Sequence, residues 1–486
     1  MLAYAARKTV QVKMSLLTAF ENVMLPVSRG TTPEPGATSH PVPPDAKQNQ
    51  TTITAPTDYE IRALVAAEIP AFLDHLDTVF HVPKPNGSMG AARELFADHW
   101  EGDPARDPAG VMVAVHATQI VSSVRVYNRA IHIDYSRAAH PTGGIGDVAT
   151  NLNHRGKSLA KKLMRMADDY MHDARGYDFG VLHAAPLAAP IYASIGWKGV
   201  NMSETALFTS LKHVVVDSAE DAATAITSVR DIVFARGGAD LTLVKLLHCL
   251  VAPSILGTFA RTDDEYWIRY IGQSNDSRRN VVRLLYTPDG KHTDALQVGD
   301  CVGYIIAEVL KFDLEGLEKA KIADAAVAVS VTIKEIFVGK VASLQENGHV
   351  KSIAAQNPAE FNTSISVLIA ESIKKLLSTL PFSDIATQRV KLIVPTALLP
   401  DEVLDAANLV WANEREKSNE TAWMFKVFVP FSIATANGSS VQIFNNDDLV
   451  QILGPVISEG RFFAGCDGVA LKPGAEVFGF LKTDAF

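Results

Sequence analysis

From residue 58 to residue 211 the apolar and polar positions change period several times, in an order that reads as one mixed α/β unit. Residues 59–65 predict a first strand, 66–79 and 89–100 two helices, and 111–117 with 119–133 a hairpin. An apolar run over 145–152 predicts a further strand. Beyond it Leu159, Leu163, Met166 and Tyr170 recur at spacings of four, three and four, with Ala160, Met164, Ala167 and Met171 one step round. That spacing predicts a helix with one broad buried face. Residues 179–184 read as a short buried strand, 185–190 as a small-residue turn region, and 191–197 as a helix end running into a strand. Residues 204–211 are expected to form the last strand of this unit, and something new starts within 218–236.

The same succession recurs more faintly downstream. Strands are expected over 301–311 and 327–338, a helix over 362–380, a strand over 390–395, a helix over 401–411 and a strand over 423–431. A diverged second copy is one reading of this half, and an unrelated α/β domain is the other. The leading segment has a different character. Residues 1–20 carry Arg7, Lys8 and Lys13 with no acid before Glu21, which suits either a targeting helix or a plain extension. Residues 30–57, with Pro33, Pro35, Pro41, Pro43, Pro44 and Pro56, read as an extended linker, so folding is expected to begin near Asp58.

Composition narrows the class. The 486 residues are 47% hydrophobic, enough for more than one core, and no apolar run reaches membrane-spanning length. A net charge of −9 argues against nucleic acid as an obligate partner. Cys249, Cys301 and Cys466 are far apart, odd in number and without metal-ligand spacing, so a reducing compartment is expected and no metal.

The candidate chemistry lies at Arg155-Gly156-Lys157-Ser158-Leu159-Ala160, between the apolar run and the amphipathic helix. A helix start leaves N–H groups without partners and carries partial positive charge, so an anion lying there is stabilised. With Arg155 and Lys157 beside it, the turn suits a pyrophosphate. A solvated basic helix start is the plain alternative.

These residues, with the Tyr192-Ala193-Ser194-Ile195-Gly196-Trp197 close, resemble the core of the GNAT acetyltransferases, whose signature at the turn is Arg/Gln-x-x-Gly-x-Gly/Ala. Arg155 and Ala160 match, while Ser158 stands where glycine is usual. A helix-start residue is expected to have negative φ, which serine adopts, and its hydroxyl can donate to phosphate. The resemblance implies tandem GNAT folds of the α/β (α+β) class, mixed sheets flanked by helices, with a small C-terminal α+β segment. The corresponding divisions are an extension and linker over 1–57, a GNAT domain over 58–215, a degenerate GNAT-like domain over 216–435 and a segment over 436–486. The second copy lacks the signature turn in VGKVASLQENGHVKSIAAQNPAEF, so it is expected to shape the acceptor site or a subunit contact.

By the same resemblance, acetyl-CoA is the co-substrate. Val148 and Thr150 supply backbone groups to its pantetheine arm, and Arg155, Gly156, Lys157, Ser158 and Ala160 hold its pyrophosphate. Tyr192 is the general acid for the departing thiolate, the alternative being a core aromatic with its hydroxyl satisfied by backbone. The architecture is similar to that of Eis-like acetyltransferases, in which the third domain has a sterol-carrier-like fold and the terminal carboxylate acts as base. Here that would be Phe486, with His183 and Glu204 as other candidates. The fungal-type lysine acetyltransferases are the competing relatives. The implied activity is acetyl transfer to a primary amine of a small molecule or a lysine side chain. A catalytically inactive acyl-CoA-binding module is the alternative, and lipid transfer through the last segment is a third. The resemblance leaves room for a homo-oligomer and for a cytoplasmic or mitochondrial location.

Overall fold

The computed structural model describes residues 59–83, 89–134, 136, 138–185, 187–210, 228–232, 234–252, 257–272, 278–286, 301–311, 327–339, 373, 376–377, 389–395, 415–434, 439–459 and 477–479. The first strand, β1 (Glu60–Ala63), leads through a short 3₁₀ turn into α1 (Ile69–Val79). A small hairpin of β2 (His81–Pro83) and β3 (Met89–Ala91) precedes α2 (Arg93–Gly102). The hairpin β4 (Val111–His116) and β5 (Gln119–His132) follows, then β6 (His140–Thr150), α3 (Leu159–Asp169), β7 (Phe179–Ala184), α4 (Ala189–Ala193) and β8 (Lys198–Ser210).

Burial on both faces explains why β4 reads as an unbroken apolar run. Its Val111, Val113 and Val115 pack with Phe72, Leu73, Leu76 and Val79 of α1, whereas Met112 and Ala114 pack with Leu159, Leu163, Met164 and Ala167 of α3. The sheet is therefore a middle layer with α1 on one side and α3 on the other. One expectation fails here. Residues 89–100 are not one helix, because Met89–Ala91 pairs with His81–Pro83 and the helix begins at Arg93. Asp77 of α1 sets that start by accepting from the backbone N–H of Ala92 at 2.5 Å and of Arg93 at 2.8 Å. A cap donated by a neighbouring helix leaves no local trace in the sequence.

The second half contributes β9 (Ser228–Asp231), α5 (Ala239–Val251), β10 (Thr258–Phe259), β11 (Arg278–Tyr286), β12 (Cys301–Lys311), β13 (Val327–Gly339) and β14 (Arg389–Pro395). After them come β15 (Arg415–Val427), the pair β16 (Phe431–Ala434) and β17 (Ser440–Ile443), α6 (Asn446–Glu459) and β18 (Val477–Gly479). The strand expected over 423–431 is thus displaced toward the N-terminus, and Phe431 opens a separate strand. Residues 373, 376 and 377 are helical, inside the helix expected over 362–380; the helix expected over 401–411 lies outside the described residues.

Twelve strands form one continuous path in the order β1-β4-β5-β6-β7-β15-β8-β14-β13-β12-β11-β9. The order reads the same from either end when β1, β4, β5, β6, β7 and β8 are matched with β9, β11, β12, β13, β14 and β15. Each half has one parallel pair, β6–β7 and β13–β14. Each also sends its last strand into the other half: β15 lies against β7, and β8 lies against β14. A single mixed sheet flanked by helices results.

The crossing is fastened by side chains. Lys426 of β15 donates to the Asp168 carboxylate of α3 at 2.7 Å and to the Ile195 carbonyl at 3.0 Å. Asn446 of α6 donates to the Gly196 carbonyl at 2.6 Å while its side-chain oxygen accepts from the Val427 N–H at 2.7 Å.

Candidate functional site

Strands β6 and β7 run parallel only briefly. Gly143 pairs with Gly180, Gly144 with Val181 and Ile145 with Leu182, after which the ladder stops although both strands continue. The glycines are needed at the closed end: a Cβ on Gly143 would meet the Met171 sulfur at 2.3 Å, and one on Gly180 would meet the Trp197 ring at 2.9 Å. Past Ile145, β6 keeps β5 on one side as far as Thr150. No described strand covers its other edge there, so a wedge opens between β6 and β7.

A bulge sharpens the opening. Between the pairs Ser123–Ala149 and Arg125–Gly146, β6 has one residue more than β5, and Asp147 takes a φ of +50°. A buried network holds that conformation. Ser123 Oγ donates to the Asp147 carbonyl at 3.0 Å, and Tyr127 OH donates to the Asp147 carboxylate at 3.0 Å. Arg125 lies between Asp147 at 3.5 Å and Asp103 at 2.8 Å, and Arg129 reaches the other Asp103 oxygen at 2.9 Å. The guanidinium of Arg125 also stacks over Tyr127, 4.0 Å from the ring centroid. Burial, the largest influence on Asp147, pushes its carboxyl up, and Arg125 opposes the rise.

Beyond Thr150 the chain turns into the basic loop. Gly156 has a φ of +76° with open space around it, and Ser158 has a φ of +58°. The expected negative φ at Ser158 is therefore wrong: the helix is entered through a left-handed residue, which is why glycine is the natural occupant. Ser158 makes no side-chain cap. Its carbonyl accepts from the Lys162 N–H at 3.1 Å, so the N–H groups of Leu159, Ala160 and Lys161 stand at the open end of α3.

Arg155 bridges loop and wedge. Its Nε donates to the Thr150 carbonyl at 3.1 Å, while Nη1 is buried and has no hydrogen-bond partner among the described residues. Burial lowers its pKa, the signature of a cation lacking its counter-charge. Lys157 donates to Tyr59 OH at 2.5 Å, and that oxygen also lies 3.0 Å from His154 Nδ1. The loop thus offers a guanidinium nitrogen without a described partner, open helix N–H groups and a second cation within a few residues of one another. An anionic group of pyrophosphate size fits that donor set.

Tyr192 stands on α4. It is 8% exposed and shares one apolar cluster with Leu159 and Trp197, against which Val148 also packs. Its hydroxyl has no hydrogen bond among the described residues, and burial alone pushes it up to about 12. Tyr192 is a core aromatic, and no backbone group among the described residues satisfies its hydroxyl. Val148 and Thr150 lie on β6 past the end of its ladder with β7, Arg155, Gly156, Lys157 and Ser158 in the loop that follows, Ala160 in the first turn of α3, and Tyr192 on α4 in the apolar cluster against which Val148 packs. His183 is on β7 with its ring 5.2 Å from Trp423, and the Glu204 backbone pairs with Pro395 in β14. Phe486 lies outside the described residues. Asp147 and its buried partners were missed from sequence, although Arg125 and Arg129 inside an apolar strand were a signal.

The family model of an acetyltransferase (GNAT) domain matches residues 60–200. No curated protein matches the chain. Among solved structures it is similar to a GCN5-related N-acetyltransferase from Anabaena variabilis, 11% identical, covering 80% of this chain and 84% of that one with a TM-score of 0.46. Saccharomyces cerevisiae N-myristoyltransferase with bound myristoyl-CoA is 9% identical, covering 85% and 93% with a TM-score of 0.46. Eis1 from Mycobacterium abscessus is 12% identical, covering 75% and 73% with a TM-score of 0.37. Likeness at this level assigns no residue a role. The family match and the wedge, bulge and basic loop coincide on the same segment: residues 60–200 form an acetyltransferase domain of the GNAT family.

Proposed function

We propose that the chain is an acyl-CoA-dependent N-acyltransferase that moves an acetyl group to a primary amine of a small molecule or a lysine side chain. The observation that carries this reading is the edge of β6 past Ile145, which no described strand covers and which ends at a buried Arg155 nitrogen without a partner among the described residues. An extended arm bearing amides suits such an edge, and a pyrophosphate suits the loop beyond it. Val148 and Thr150 would supply backbone groups to the arm; Arg155, Gly156, Lys157, Ser158 and Ala160 would hold the phosphates.

The amine must lose a proton before it attacks, and Phe486, His183 and Glu204 are the proposed bases. A backbone N–H near Val148 would stabilise the oxyanion, and Tyr192 would protonate the departing sulfur. The environment of Tyr192 constrains that last step. Against a thiol pKa of ~8.5, a phenol at about 12 gives a proton uphill by roughly 5 kcal/mol. The transfer would become feasible were the sulfur to leave beside the buried Tyr192 hydroxyl, where a thiolate is also destabilised.

Ser158 favours a second reading. A left-handed serine without a cap is a departure from the glycine this loop asks for, consistent with an acyl-CoA-binding module that has lost turnover. Calorimetry with acetyl-CoA, followed by thiol release with a panel of amines, separates the two. Binding and turnover are expected; binding without turnover on any amine supports the module, and no binding sinks both. Among the described residues no helix is long and apolar enough to cross a membrane. A cytoplasmic or mitochondrial setting, self-association and a sterol-carrier-like last segment stay proposals.

A further inference from the structure

The two parallel pairs of the sheet end in the same way but are finished differently. On one edge β13 pairs with β12 from Val329 to Val338. Its other edge is shared. Strand β14 runs beside it as far as Thr332, and beyond a short gap Phe337, Val338 and Gly339 pair antiparallel with Gly479, Phe478 and Val477 of β18. Strand β6 has the same arrangement up to the gap, with its ladder to β7 ending at Ile145 and no described strand on that edge after it.

The equivalence extends to the bulge. Between the pairs Ile306–Glu335 and Ala307–Ile333, β13 carries Lys334 as an extra residue, just after its parallel ladder ends. This bulge too is pinned by a buried ion pair. Glu335 is fully buried and accepts from both Arg261 nitrogens, at 3.0 and 2.7 Å, as well as from Tyr304 OH. Both wedges therefore have a rigid edge of backbone donors and acceptors, and such groups are costly to leave unpaired. A pantetheine arm carries two amides, the same chemistry a short strand brings.

We propose that Val477–Gly479 is a built-in stand-in for a bound arm: it takes the edge of β13 that β6 leaves open, so the second wedge is a peptide-strand site and acyl-CoA binds in the first wedge alone. The inference rests on reading the β6–β7 wedge as the acyl-CoA site.

Hydrogen exchange by mass spectrometry on the full chain tests it. Residues 335–339 are expected to be protected without ligand and unchanged by acetyl-CoA, while residues 146–163 gain protection on its addition. In a chain truncated before Val477, and in the full-length variant Phe478→Pro, which disrupts a strand ladder, exchange at 335–339 should quicken by about tenfold or more. Titration should give one acetyl-CoA per intact chain. Unchanged exchange at 335–339 in both variants overturns the proposal, as does protection of 335–339 by acetyl-CoA in the intact chain. If residues 146–163 gain nothing while the variants behave as expected, the acyl-CoA reading of the first wedge fails and the strand occupancy stands.

Discussion

Ser158 holds a left-handed backbone with no capping bond in return. That conformation costs a serine roughly 1 kcal/mol relative to glycine, partly offset by the greater freedom glycine gains on unfolding. Ser158→Gly is therefore expected to stabilise the chain by about 0.5 kcal/mol, read from the urea midpoint. Tyr192→Phe removes the hydroxyl and keeps the ring packed against Leu159 and Trp197; kcat should fall by roughly a hundredfold with the KM for acetyl-CoA nearly unchanged. His75 gives a pH prediction. Burial lowers it from 6.5 to about 4, with only the Ala149 backbone drawing it back up. Between those values the unfolded chain binds the proton and the folded chain does not, so stability rises with pH. About 3 kcal/mol is present above pH ~6.5 and is lost as pH falls toward 4. Stability of His75→Gln measured by urea at neutral and acidic pH should show a shallower acid limb. The basic turn at Arg155 and the helix end at Tyr192 were legible because each sits in a local pattern of residue types. The φ of Ser158 was not, since serine gives no sign of a positive angle. Asp147 was hidden because its partners, Ser123, Arg125 and Tyr127, come from another strand.

Secondary elements were readable where one face or two are buried by near neighbours. The hairpin of β4 and β5, the amphipathic α3 and the short buried β7 lie close to where their periodicity places them. Elements set by distant partners were not. Strand β8 begins at Lys198, earlier than its composition suggests, because Lys198 already pairs with Phe425 of β15. The same distant partner positions α4, since Lys426 grips the Ile195 carbonyl just after Tyr192. Lys426→Met strips Asp168, whose side chain is 10% exposed, of its cation and should cost about 3 kcal/mol. Adding Asp168→Asn should recover much of that loss, because an amide needs no counter-charge. Chemical denaturation of the two variants checks the order; equal stability of the single and double variants would discard the ion pair as the fastening.

For the whole molecule, the recurrence of element order was visible in the sequence, but the crossing of the last strands was not. Pairing between residues such as Phe179 and Val427 leaves no periodic trace in either segment. The crossing makes a prediction about fragments. Residues 59–210 expressed alone would expose the β7 edge and leave β8 without either partner, so the fragment should aggregate or stay unfolded by circular dichroism and size-exclusion chromatography. Co-expression with residues 228–486 should restore a soluble species. A stable, monomeric 59–210 fragment would refute this dependence.

The mutual loan of strands also has a consequence for concentration. Two separate subunits that completed each other's sheets this way would come apart on dilution, and each wedge would lose its flanking strand with its partner. Here β15 reaches β7 within one covalent chain. The complementing piece is present at a fixed effective concentration, however dilute the protein becomes.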